Sequence, residues 1–251
     1  MNTPVGGYSI IIDRRFCGPP ASGNGGYVCG RLASYIDGCA KVRLIIPPPL
    51  DTPLRVVRTP AGVELLCHDQ LVAKAWPHHF EQHVPACPTL ADAREMASRY
   101  GGFDHHVFPT CFVCGPGREE GDGLRIFPGL SHDSTLVSSP WVVDHSLCDE
   151  HGKLYPWFVW CALDCPSGWA FLHGSERPAV LGEFSVQINS TIACGQELIV
   201  VGWEIERLGR KHHTGSALYS AAGVLLASGQ ATWFEIKAGC QPPMRSDKTG
   251  T

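Results

Sequence analysis

An α+β fold with two antiparallel sheets, each wrapped around a central helix, is predicted by three features of the 251-residue sequence. A segment with helical apolar spacing precedes four short runs rich in Val, Ile and Leu; turn-forming PPP and PAG clusters separate those runs; and the same order of elements returns in the second half. An apolar share of 44%, a charged share of 18% and a formal charge of −4 describe a folded chain rather than a disordered tail or a fibre. The length suits one large domain or two small ones, and either buries a substantial core.

The first half opens with Tyr8 and the β-branched run SIIIDRRFCG, a strand that ends at Gly18-Pro19-Pro20. Asn24 in the loop ASGNGG is a good N-cap type, and Val28, Leu32, Tyr35 and Ile36 fall at helical spacing before Gly38 closes the helix. Gly30 inside this helix implies close packing. AKVRLII, LRVVRT, VELLCHD and LVAKAW then read as an antiparallel meander. These elements make residues 1–77 a first repeat.

Residues 78–123 form a connector, with a short helix, TLADAREMASRY, capped by Thr89 and a turn-rich CFVCGPGREEGDG segment. Residues 124–240 repeat the first order. LRIFPG and STLVSSPWVV read as strands, YPWFVWCALDCPSGWAFL as an apolar helix with a kink expected at Pro166, and four further runs as strands. Residues 241–251 form a polar tail, expected to be flexible.

Composition also excludes function classes. A pI near 6.3 without a dense Lys/Arg run argues against a nucleic-acid partner, because phosphate neutralisation needs a concentrated basic surface. No run approaches 18 apolar residues and the start MNTPVGGYSI is no signal peptide, so no membrane span is expected and the protein reads as cytoplasmic. The 12 cysteines have no repeated spacing, which makes reduced thiols the expectation.

Three segments, FCGPPASGNGGYVCGRLAS, CFVCGPGREEGDGLRIFPG and VWCALDCPSGWAF, give the chain a resemblance to double-hotdog proteins of the acyl-CoA thioesterase-like superfamily, in particular an actinobacterial-type group. The resemblance implies a double-hotdog fold in which one chain reproduces what smaller proteins build as a homodimer. It implies hydrolysis of an acyl thioester, carried by CoA or by an acyl-carrier protein, and admits a homo-oligomer. A non-catalytic acyl- or CoA-binding module is the alternative, since the same fold serves both. Neither a hydratase-type Asp and His pair before the central helix nor a helix-turn-helix segment is evident.

Single-domain thioesterases of this kind commonly open the central helix with His-Gly-Gly and carry an acid two turns later. Asn24-Gly25-Gly26 resembles that opening, but Ala33 stands where the acid belongs; aligning VCGRLAS with VWCALDC places Asp164 at the position of Ala33. One repeat keeps the loop and the other keeps the acid. Asp164 is therefore the expected general base or nucleophile, with Asn24 as its catalytic partner. The amides of Gly25, Gly26 and Tyr27, at a helix N-terminus, are expected to bind the oxyanion. Asn24 serves as readily as a plain N-cap, whereas an Asp in so apolar a segment must be paired, hydrogen-bonded or open to a cavity.

Trp160 is expected to fill core and to line part of an acyl tunnel. Arg210 and Lys211 could meet CoA phosphates, although a short basic cluster at a turn is usually a solvated edge. Cys111 and Cys114 have the C-x-x-C spacing of half a zinc site. His105, His106, His145 and Cys148 are candidates for the other half, but none stands in a recognised spacing, so structural thiols and no bound metal are the expectation.

Overall fold

The computed structural model describes residues 8–173 and 178–236, so the expected tail at 241–251 lies outside the described residues. The first half contains strands β1 (Tyr8–Ile11), β2 (Ala40–Leu44), β3 (Pro53–Thr59), β4 (Gly62–Cys67) and β5 (Gln70–Pro77), with helix α1 (Gly25–Ala33) between β1 and β2. Helix α2 (Leu90–Ser98) lies in the connector. The second half comprises β6 (Gly129–Leu130), β7 (Val137–Val142), helix α3 (Pro156–Leu172), β8 (Ala179–Ile188), β9 (Glu197–Leu208), β10 (Lys211–Ser220) and β11 (Leu225–Glu235).

Among the described residues eleven strands join in one antiparallel sheet of order β1-β3-β4-β5-β2-β8-β11-β10-β9-β7-β6. The two repeats meet edge to edge where β2 pairs with β8, Val42 opposite Phe184. Two sheet edges are thereby removed from solvent. The expected four-strand meander is corrected in one respect: β3, β4 and β5 follow one another, while β2 crosses to the far side of β5. The hydrophobic pattern specified strands but not their neighbours.

Helix α1 is also shorter than expected, because the last turn tightens after Ala33. The Ser34 hydroxyl donates to the Arg31 carbonyl, and Tyr35 and Ile36 donate their amides three residues back, to Leu32 and Ala33. Tyr35 and Ile36 still pack on the core. Residues 124–128 are irregular rather than strand, and β6 has only two residues.

Helix α3 buries 12 of its 17 residues, which explains why its sequence is apolar on all sides. It continues through Pro166 to Leu172. A side chain at Gly202 of β9 would come within 2.5 Å of the Pro166 carbonyl carbon, so glycine there lets the sheet lie directly on the helix. On the opposite sheet face, α2 and the preceding chain cover Ile199, Val201, Trp203, Ala217 and Tyr219. Coverage on both faces accounts for the unbroken buried run Leu198–Trp203.

Candidate functional site

Helices α1 and α3 touch backbone to backbone. Gly26 and Gly30 lie one turn apart on the same face of α1. A Cβ at Gly26 would stand 2.6 Å from Asp164 Cβ and 2.7 Å from the Trp160 carbonyl oxygen, and one at Gly30 would stand 2.7 Å from Trp157 Cα. Neither position admits a side chain without moving a helix. This contact sets the N-terminus of α1 on the flank of α3.

At that crossing Asp164 meets the Asn24 loop across 140 residues of sequence. Asn24 Nδ2 donates to Asp164 Oδ2 at 3.0 Å, and the Gly26 amide donates to the same oxygen at 2.8 Å. Asn24 Oδ1 accepts from the Tyr27 amide at 2.9 Å, so the side chain caps α1 and holds Asp164 at once. Asp164 is 1% exposed and Asn24 2%. Burial pushes the Asp164 carboxyl up to about 7; the Gly26 amide opposes the shift, negative charge at Cys111 adds to it, and the Asn24 amide opposes it. Asp164 Oδ1 has no hydrogen-bond partner among the described residues.

A sulfur cluster adjoins the pair. Cys111 and Cys114 in the connector and Cys165 on α3 place their Sγ atoms within 4.8 Å of one another, all buried. Asn24 Nδ2 lies 3.9 Å from Cys111 Sγ. Hydrogen bonds from Cys114 and Cys165 hold the Cys111 thiol well below the usual thiol range against the effect of burial, while burial drives Cys114 up. Of the completing ligands considered from sequence, His106 reaches the cluster, its Nε2 being 3.3 Å from Cys114 Sγ. His105 and His145 are exposed, and Cys148 lies beside Cys194. Cys165 escaped sequence reasoning because nothing in its spacing links it to the C-x-x-C turn.

The fold can be placed among solved structures. A tesB protein of Mycobacterium avium subs paratuberculosis superposes over 94% of this chain and 96% of its own with a TM-score of 0.63 at 12% identity. A protein of unknown function with a hot dog fold from Alicyclobacillus acidocaldarius matches 94% of this chain and 95% of its own, with a TM-score of 0.61 at 14% identity. The chain is a double hotdog. An acyl-CoA thioesterase II of Mycobacterium marinum is similar over 95% of this chain and 96% of its own, with a TM-score of 0.57 at 11% identity. No protein-family model matches the chain, and no curated protein matches its sequence.

Within the double hotdog the crossing is asymmetric. The alignment that equates Ala33 with Asp164 equates Gly26 with Trp157, so the mirrored position has an indole for a glycine and a methyl for a carboxylate. Trp157 stacks on Tyr155 at 4.5 Å between ring centroids, and Tyr155 caps α3 without a side-chain hydrogen bond.

The other expected site residues are dispersed. Gly25 packs on Leu181, a Cβ there lying 2.9 Å from Leu181 Cδ2. Trp160 is buried edge-on against Phe184, with centroids 5.4 Å apart. Arg210 and Lys211 stand at the β9–β10 turn, where Arg210 Nη1 donates to the Glu235 carbonyl at 3.4 Å. The adjoining His212 stacks on Phe171, about 10 Å along α3 from Asp164 at 1.5 Å per residue. Two clefts of about 280 and 300 Å³ are lined around Ile192 and around Thr232, and neither reaches Asp164.

Proposed function

We propose that this double hotdog hydrolyses an acyl thioester, of CoA or of an acyl-carrier protein, at the Asn24–Asp164 junction, with residues 1–77 and 124–240 as its two repeats. One observation carries the reading: the carboxylate of one repeat sits on the helix N-terminus of the other, taking the Gly26 amide and Asn24 Nδ2 through a single oxygen and leaving Oδ1 without a partner among the described residues. Thioester hydrolysis needs a group that activates water or attacks the carbonyl and dipoles that stabilise the oxyanion, and a carboxylate beside two N–H donors can supply both. The substrate carbonyl takes over the two donors from Oδ2, and the released carboxylate activates water or attacks the carbonyl carbon. Water supplies the hydroxyl of the acid product, and the sulfur leaves as thiol. The tesB and thioesterase names of proteins with this fold agree with the reading.

A second reading, a non-catalytic acyl- or CoA-binding module, is favoured by a different observation. The Gly26 and Tyr27 amides both have acceptors within the protein, so two of the three expected oxyanion donors are engaged in the free state. A panel of short, long and aromatic acyl-CoAs, followed by free-thiol release, separates the two. Turnover above background on at least one substrate supports hydrolysis; binding by calorimetry with background turnover throughout supports the module.

A further inference from the structure

Cys111 and Cys165, 54 residues apart in sequence, bring their sulfurs to 3.7 Å, and Cys114 completes a triangle with no Sγ–Sγ distance above 4.8 Å. Two thiolates on one tetrahedral zinc ion, each at about 2.3 Å, stand about 3.8 Å apart. His106 Nε2 lies 3.3 Å from Cys114 Sγ, on the margin of the trio of sulfurs, from where its ring can turn in as a fourth donor. Cysteines buried simply as small hydrophobes need no polar donors. Here Asn24 Nδ2 lies 3.9 Å from Cys111 Sγ and His106 Nε2 lies 3.3 Å from Cys114 Sγ.

The turn that presents the first two sulfurs is fixed from outside. The Gly115 amide donates to the Cys111 carbonyl at 2.9 Å, Tyr100 donates its hydroxyl to the Cys114 carbonyl at 3.0 Å, and Arg118 Nε donates to the Thr110 carbonyl at 2.8 Å. A Cβ at Gly115 would lie 2.6 Å from the Cys111 carbonyl oxygen, so this tight turn requires glycine after Cys114. The fold thus holds the three sulfurs ready for a common ligand.

We propose that Cys111, Cys114, Cys165 and His106 bind one zinc ion that fastens the connector to α3. Three thiolates and an imidazole suit zinc, and a closed four-donor set suits a structural ion rather than one that activates water. Binding releases the protons of the thiols that ligate. Ligation through Nε2 places the His106 ring proton on Nδ1, which in the free state accepts the Phe108 amide at 2.9 Å. That bond is given up on binding, which makes His106 the weakest of the four donors.

Elemental analysis and a thiol count on the whole protein, purified under reducing conditions, test the site without any substrate. The expected result is about one zinc per chain, lost to a chelator together with thermal stability. The chelated protein titrated with cobalt should develop a sulfur-to-cobalt charge-transfer band. His106→Gln should weaken cobalt binding at least tenfold but keep the band, Cys194→Ser should leave metal content unchanged, and Cys165→Ser should lose zinc. Since Cys165→Ser could fail to fold, the cobalt titration of the unaltered chain decides. No zinc and no band with all thiols reduced overturns the proposal, and so does a disulfide within the trio.

Discussion

Gly26 shows how one residue can carry both packing and chemistry. Its missing side chain admits α3 to 2.6 Å of where a Cβ would be, and its amide holds Asp164 Oδ2. Gly26→Ala should therefore cost about 1–3 kcal/mol in denaturant unfolding, since the nearest atoms include backbone that cannot rotate away. Asn24→Ala removes one donor to the carboxylate and the α1 cap together. On the proposed function it should lower kcat on the order of tenfold to a hundredfold in the thiol-release assay, the Gly26 amide persisting. The sequence made the pair legible because a Gly-Gly opening and a carboxylate in an apolar run are both expensive without a purpose. What it could not convey was that two of the three amides expected for substrate, those of Gly26 and Tyr27, are already taken by Asp164 and Asn24. Hydrogen-bond partners depend on a contact 138 residues away.

At the scale of elements, local signals held where the determinants are local. Thr89 caps α2 as its residue type suggests, and Asp92 closes the box by accepting from the Thr89 amide and hydroxyl. Thr89→Ala should cost about 1 kcal/mol, and amide exchange should quicken first in α2. Helix α1 ends before the expected Gly38 because Tyr35 and Ile36 keep helical spacing while bonded three residues back rather than four. The place of β2 was illegible for another reason: alternation states which face of a strand is buried, and the partner is chosen by tertiary packing. Cys165 belongs with these misses, since α3 must dock before its sulfur meets Cys111.

For the whole molecule, the repeat order specified two wrapped helices, and the β2–β8 ladder fuses the halves into one sheet. A homodimer would present two equivalent helix crossings. This chain is asymmetric, with Gly26 and Asp164 on one side and Trp157 and Ala33 in the equivalent positions. Ala33→Asp should accordingly add no second site: active-site titration should still count one, because Trp157 stands where the second glycine would be needed. On the proposed function, one site is built by both repeats and the Asp164 carboxylate does its chemistry. Asp164→Asn tests this most directly, because the amide oxygen can still accept from Gly26 and preserve the fold. With far-ultraviolet circular dichroism unchanged, kcat for thiol release is predicted to fall at least ~100-fold; a folded Asp164→Asn protein that keeps full turnover would contradict the account.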